Sequence, residues 1–101
     1  MAYQYDIPFH VDLSDRVALV TGGNGGIGGM FCRALAACGA TVIILARNLE
    51  RCQQLAAEIN AGGGRADAMS GDVTDEAAML RVKGEIEKKY GKLNILINAA
   101  G

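Results

Sequence analysis

Residues 21–29 read TGGNGGIGG, six glycines in nine positions, set between the apolar run RVALV (16–20) and the stretch MFCRALAACG (30–39). Glycine at this density costs conformational entropy on folding, so a chain keeps it where a positive φ or a bare backbone against a neighbour is required. The run Val17, Ala18, Leu19, Val20 has strand length. Downstream, Ile27, Met30, Phe31, Ala34, Leu35 and Cys38 recur at helical spacing until Gly39 ends the pattern. The glycines therefore join a buried strand to an amphipathic helix. Such a loop turns free N–H groups and the positive end of a helix dipole toward whatever lies over it, which favours a phosphate or pyrophosphate.

Gly23, Gly25 and Gly28 meet the G-x-G-x-x-G spacing, but six glycines in nine positions satisfy several spacings by chance, so a purely structural tight turn stays open at this point. The other phosphate motif, G-x-x-x-x-G-K-[ST], fails because no Lys occurs in the loop or the helix after it.

Working outward, 101 residues at 50% apolar composition and net charge −1 describe one domain without a basic patch. Nucleic acid and anionic membrane are not expected partners. No apolar run approaches the roughly 18 residues of a membrane span, and MAYQYDIPFH lacks the features of a signal peptide, so the expected location is the cytoplasm. Cys32, Cys38 and Cys52 are odd in number, form no C-x-x-C pair and fall in helical patterns, which reads as buried thiols in a reducing compartment. His10, the single histidine, lies in an amino-terminal arm (1–12) without a ligand partner at useful spacing, so no metal site is expected. The packed domain is expected over 13–101.

The strand and helix alternation then repeats. TVIIL (41–45) is β-branched and apolar on both faces, suited to a central parallel strand. Asn48 is a candidate N-cap for a helix whose inward stripe is Cys52, Leu55 and Ile59 and which AGGG (61–64) stops. RADAMSGDV (65–73) is a weaker third strand. Thr74 is the expected cap of a third helix, with Asp75 and Glu76 at its positive end, Lys88 and Lys89 at its negative end, Gly91 after it, and Met79, Val82, Ile86 and Tyr90 as its apolar stripe. Gly84, mid-helix, suggests close packing. LNILIN (93–98) is the fourth strand. The order βαβαβαβ, with connections only long enough for crossover helices, predicts an α/β fold: a parallel sheet with helices on both faces.

TGGNGGIG resembles the T-G-x-x-x-G-x-G loop of the short-chain dehydrogenase/reductases at Thr21, Gly22, Gly26 and Gly28. GDV (71–73) resembles that family's acidic turn, and NAAG (98–101) its N-N-A-G, with Ala99 in place of the second Asn. The resemblance runs from about Leu13 to Gly101. It implies a Rossmann-like sheet of strand order 3-2-1-4 and a nicotinamide dinucleotide held by Gly22, Asn24, Gly26, Ile27, Gly28, Arg47, Asn48, Asp72, Val73, Asn98, Ala99, Ala100 and Gly101, with Asp72 at the adenine. In dinucleotide folds an acid about 20 residues past the glycines binds the ribose 2′-OH, whereas an Arg accommodates a 2′-phosphate. Here the second strand ends in Ala46-Arg47-Asn48, which points to NADP, with NAD the less favoured cofactor. The competing reading has Arg47 merely solvated or paired with Glu50.

Members of the resembled family interconvert a carbonyl and an alcohol using a Tyr, a Lys four residues on, a Ser and an Asn. Tyr3, Tyr5 and Tyr90 are followed four residues later by Ile7, Phe9 and Asn94, so these 101 residues contain no Y-x-x-x-K. The expectation is a nucleotide-binding half without catalytic residues, acting on a small carbonyl or alcohol only in a full-length form. A non-catalytic nucleotide-binding module and an interaction protein remain the alternatives. The amino-terminal arm, ILARNLERCQQLAAEINAGGGRADA (44–68) and LINAAG (96–101) bear a faint likeness to the sugar-acid and polyol members, including fructuronate (D-mannonate) oxidoreductases. The fourth strand, with Ile95, Leu96 and Ile97 in a row and no Pro or inward charge, is expected to be an open edge, and the chain is expected to form a homo-oligomer through it or through exposed helix faces.

Overall fold

The computed structural model describes residues 11–23 and 25–99. Four strands and three helices alternate: β1 (Val17–Thr21), α1 (Gly26–Ala37), β2 (Thr41–Ala46), α2 (Leu49–Ala61), β3 (Arg65–Ser70), α3 (Glu76–Tyr90) and β4 (Ile95–Asn98). All pairings are parallel, as the strand and helix alternation predicts, and their order, β3-β2-β1-β4, is the one the family resemblance implies. Every residue of β1 is buried, as are Val42, Ile43, Ile44 and Leu45 of β2, because helices cover both faces of these central strands.

The period of two in the strands divides the core into two clusters. Val20, Val42 and Ile44 pack with Cys32 and Ala36 of α1 and Cys52, Leu55 and Ile59 of α2. On the opposite face Leu19, Ile43 and Leu45 pack with Val82 and Ile86 of α3, flanked by Met79, Tyr90 and Leu93. Each fully buried Ile contributes about 1.5–3 kcal/mol, so Ile43 and Ile44, adjacent in sequence, anchor opposite layers. Leu13 packs on the first cluster, and its N–H bonds Cys38 O at 2.7 Å. Most of the arm expected over 1–12, including His10, Tyr3 and Tyr5, lies outside the described residues.

Several local expectations are corrected. The large residues of the α1 pattern face outward: Ile27 is 70% exposed, Met30 58% and Phe31 42%. The face of α1 toward the sheet is made of Gly28, Gly29, Cys32 and Ala36, because the helix approaches the β1 turn too closely for side chains. α3 is capped by Asp75, whose Oδ1 accepts from Ala78 N at 3.2 Å, and not by Thr74, which is turned back to Asp72. β4 begins at Ile95, since Asn94 instead accepts from Val17 N through its side chain at 2.9 Å. Gly84 packs against nothing: a Cβ there would meet no atom within 4 Å.

Candidate nucleotide-binding site

The carboxyl ends of all four strands converge on one rim of the sheet. β1 lies between α1 on one face and α3 on the other, and a crevice at such a reversal of connection is where open α/β sheets take ligands. At the end of β1 the chain enters a left-handed turn at Gly22 (φ 69°), and Gly22 N and Gly23 N are tied to Leu45 O at 2.8 and 3.4 Å. A Cβ on Gly23 would stand 2.9 Å from Ile44 Cγ2, and one on Gly28 only 2.2 Å from Gly22 O. These glycines therefore serve the packing of loop on strand and helix on loop.

Gly26 is different. A Cβ there would meet nothing within 4 Å, so the protein's own packing does not require the missing side chain. Helix α1 also lacks a side-chain cap, its N-cap being Gly25, whereas Asn48 caps α2 by accepting from Arg51 N at 3.2 Å and Asp75 caps α3. Among the described residues the first turn of α1, at the positive end of its dipole, has no side-chain cap and is open to an acceptor from outside the chain. An open, bare-backbone helix start fits a dinucleotide pyrophosphate.

Behind the loop, Cys32 Sγ lies 3.7 Å from Gly23 O. Burial, with Cys52 nearby, pushes the Cys32 thiol up to about 12, and burial also raises Cys52, so both stay protonated packing groups. Cys32 and Cys52 are buried free thiols, as their helical positions imply, while Cys38 is half-buried.

At the ends of β2 and β3, Arg47 Nη2 meets Asp72 Oδ2 at 3.1 Å. Arg47 is thus paired, but with Asp72 rather than with Glu50, and its side chain remains 76% exposed. Thr74 donates to Asp72 Oδ1 from its N–H (2.9 Å) and its Oγ1 (2.7 Å), and these bonds, with Arg47, hold the Asp72 carboxyl below its ordinary value. Val73 is exposed beside them and lines, with Thr21, Met79 and Leu96, an apolar cavity of about 290 Å³.

At the end of β4, Thr21 Oγ1 donates to Asn98 Oδ1 at 2.8 Å, and Ala99 N bonds Thr21 O at 2.9 Å. Sequence reading placed Thr21 only as the first letter of a motif. Its tie to Asn98, which joins the glycine turn to the β4 turn, depends on the β1/β4 register that pairs these two residues. The structure therefore brings Gly22, Gly26, Ile27, Gly28, Arg47, Asp72, Val73, Asn98 and Ala99 to one rim. The Asn48 side chain is already engaged as a helix cap, and Asn24, Ala100 and Gly101 lie outside the described residues. Among the described residues no group of three His, Cys, Asp or Glu could hold a metal, and no helix is long and apolar enough to cross a membrane.

A parallel β3-β2-β1-β4 sheet with a glycine turn and an uncapped helix at its carboxyl rim defines a dinucleotide-binding protein of the Rossmann type. The chain belongs to the short chain dehydrogenase family, whose model matches residues 16–101. It is 40% identical over 95 residues to UxuB, an uncharacterised oxidoreductase of Bacillus subtilis, covering 94% of this chain and 34% of that protein. Among solved structures, it resembles a metagenomic short-chain oxidoreductase in complex with NADP (35% identity, TM-score 0.85, 88% of this chain and 40% of that one). It also resembles a provisionally named D-mannonate oxidoreductase from Haemophilus influenza with bound NAD (32% identity, TM-score 0.86, 90% of this chain and 32% of that one). The chain spans about a third or less of the length of the curated relatives it matches.

Proposed function

We propose that this chain is the nucleotide-binding portion of an oxidoreductase that interconverts a carbonyl and an alcohol, with NADP(H) as the preferred nicotinamide dinucleotide. The observation that carries the reading is the start of α1, left without a side-chain cap and with open space over Gly26 while the other two helices are capped. When bound, the dinucleotide supplies or accepts the hydride.

The chain's own residues bind and orient it. Gly26 and Ile27 offer the helix start to the pyrophosphate, and Gly28 keeps α1 close enough to the turn for that to be possible. Asp72, held ionised by Thr74 and Arg47, is an acceptor for an exocyclic amine such as adenine's. Asn98 and Ala99, tied to Thr21, form the opposite wall, and the family resemblance assigns Asn24, Asn48, Ala100 and Gly101 to the same nucleotide. Arg47 supports the choice of NADP: no carboxylate occupies the end of β2, and a guanidinium suits a 2′-phosphate. The small carbonyl or alcohol substrate belongs to a longer form of the protein. Three free thiols suit a cytoplasmic, reducing setting.

Calorimetric titration of the chain with NADP⁺ and NAD⁺ tests the reading. NADP⁺ is expected to bind at least about tenfold more tightly, the value of one good charge-assisted contact, and the double change Ala46→Asp with Arg47→Ile is expected to reverse the order. Equal affinities would remove the NADP preference; binding of neither would remove the function.

A further inference from the structure

The Thr74 hydroxyl, which its place just before α3 marks as a helix cap, does no capping. Asp75 does that, its Oδ1 accepting from Ala78 N at 3.2 Å. Thr74 turns back instead and donates twice to Asp72 Oδ1, from its N–H at 2.9 Å and from Oγ1 at 2.7 Å. The turn that carries both residues is closed by a separate backbone bond, Asp75 N to Asp72 O at 2.9 Å. This segment therefore has its own backbone closure and its own cap, and the Thr74 hydroxyl serves the Asp72 side chain alone.

An ionised carboxylate offers about four acceptor positions, shared between its two oxygens. Thr74 fills those of Oδ1, and Arg47 Nη2 takes one of those of Oδ2 at 3.1 Å. Among the described residues the position left over lies on Oδ2, and the side chain is exposed enough to offer it to a ligand. An Asp side chain without such ties has a broad, roughly two-fold terminal torsion and presents either oxygen. Here the torsion is held from one side by Thr74 and from the other by Arg47, so a single oxygen is aimed at the rim. A hydrogen bond weakens steeply with misalignment, so fixing that oxygen governs how well it accepts.

We propose that Thr74 is a positioning residue for nucleotide recognition: its hydroxyl locks the Asp72 carboxylate so that Oδ2 is the atom offered to the exocyclic amine of the base. The inference rests on the reading of the chain as a dinucleotide binder with Asp72 at the adenine, and adds to it a residue that itself touches no ligand. A locked acceptor discriminates between bases by their hydrogen-bonding groups. The amine of adenine donates to it, whereas the oxo group of hypoxanthine is itself an acceptor and is repelled. A carboxylate free to turn loses part of that discrimination.

The test is calorimetric titration of the 101-residue chain and its Thr74→Val and Thr74→Ser variants with NADP⁺, NAD⁺ and nicotinamide hypoxanthine dinucleotide, in which an oxo group replaces the amine. The unaltered chain is expected to prefer NAD⁺ to the hypoxanthine analogue about tenfold, Thr74→Val to reduce that preference to about twofold, and Thr74→Ser to keep it. Carbon NMR of the Asp72 carboxyl through an acid titration supplies a second readout. The Thr74 hydroxyl is the chief cause of its lowered value, so Thr74→Val is expected to move it up toward the ordinary carboxylate value and Thr74→Ser to leave it low. Thermal melting should change little, since the Asp75 cap and the turn bond remain. An unaltered preference in Thr74→Val, or a loss that Thr74→Ser does not restore, would overturn the positioning role while leaving dinucleotide binding intact. Loss of cooperative melting in Thr74→Val would assign the hydroxyl to the fold and overturn the role as well, as would equal binding of NAD⁺ and its analogue by the unaltered chain. Failure of the unaltered chain to bind NADP⁺ or NAD⁺ would overturn both this role and the dinucleotide reading.

Discussion

The two edges of the sheet face the same hazard, a row of backbone N–H and C=O groups available to another chain, and meet it differently. At the β3 edge, side chains occupy those groups. Asn60, near the end of α2, donates from Nδ2 to Ala66 O (3.0 Å) and accepts from Ala66 N at Oδ1 (2.8 Å). Asp67 Oδ1 accepts from Ala68 N at 2.9 Å, and Arg81 donates to Ser70 O at 3.3 Å. The remaining oxygen of Asp67 accepts from Lys89 and from Tyr90 OH, tying the edge to α3.

At the β4 edge the backbone groups of Ile95 and Ile97 face β1 and those of Leu96 face outward, and no side chain among the described residues is bonded to the Leu96 N–H or C=O. Leu96 is 64% exposed in its middle, beside the apolar cavity of Leu19, Val73 and Met79. One edge is closed by polar side chains that α2, α3 and the strand itself supply; the other is apolar and open. Edge protection here is a property of particular side chains, not of the strand's place in the sheet.

The comparison breaks most sharply if the closed edge is opened. The double change Asn60→Ala with Asp67→Ala is expected to cost about 2–3 kcal/mol, roughly 1 kcal/mol or more for each bonded group that loses its partner, read as a lower urea midpoint. The Asp67 part carries a pH signature. Burial raises this carboxyl, but the bonds from Lys89, Tyr90 and Ala68 N outweigh it and hold it below its ordinary 3.8. A depressed carboxyl stabilises the fold above its unfolded-state value and loses that contribution as pH falls through the lowered one. The gap between the unaltered chain and Asp67→Ala should therefore be full at neutral pH and close as the pH falls below the ordinary carboxylate range. A gap that persists in acid would mean that Asp67 acts through packing.

The opposite manipulation is to close the open edge. Leu96→Lys places a charge at the exposed centre of β4 and is expected to shift the concentration for half-association upward at least tenfold in light scattering across a dilution series, about 1.4 kcal/mol. Its effect on the unfolding midpoint should be small because the side chain is largely exposed. Ile97, which the sequence would put forward equally, is a poorer site, since it packs against the α1/α2 cluster. Association unaltered by Leu96→Lys would place the contact elsewhere, with the exposed Ile27, Met30 and Phe31 face of α1 the next surface to change.

The smallest effect lies in α3, the helix that links the two edges. Gly84→Ala should stabilise by about 0.5–1 kcal/mol, because the position is helical, exposed and open, and Ala restricts the unfolded chain. A loss of stability would show that α3 is packed there by a partner.

Much of the fold was legible because its determinants are local. The continuous apolar runs Val17 to Thr21 and Thr41 to Ala46, the N-cap at Asn48 and the left-handed C-cap at Gly91 act within a few residues of themselves. The misreading of Thr74 is of the same local kind. Thr and Asp are both good caps, and Asp72 wins the Thr74 hydroxyl, leaving Asp75 to cap α3. The site was legible as a set of positions and not as a set of contacts. Arg47 reads as a free cation in sequence and is an ion pair with Asp72 in the fold.

Sequence alone determined the strand and helix order, the direction of the crossovers and the place of the glycine turn, since hydrophobic period, caps and glycine density are encoded by neighbours along the chain. Only the tertiary structure decided which face of α1 meets the sheet, which charges cancel and which edge is closed. Helical spacing favours Ile27, Met30 and Phe31 as the inward stripe, yet the approach of Gly28 to the Gly22 carbonyl turns them out. The Arg47 and Asp72 pair and the Asn60 clamp arise because parallel register brings the ends of β2 and β3, and the end of α2, side by side. Those outcomes depend on distances across the sheet, where steric fit and Coulomb attraction act between residues far apart in the chain.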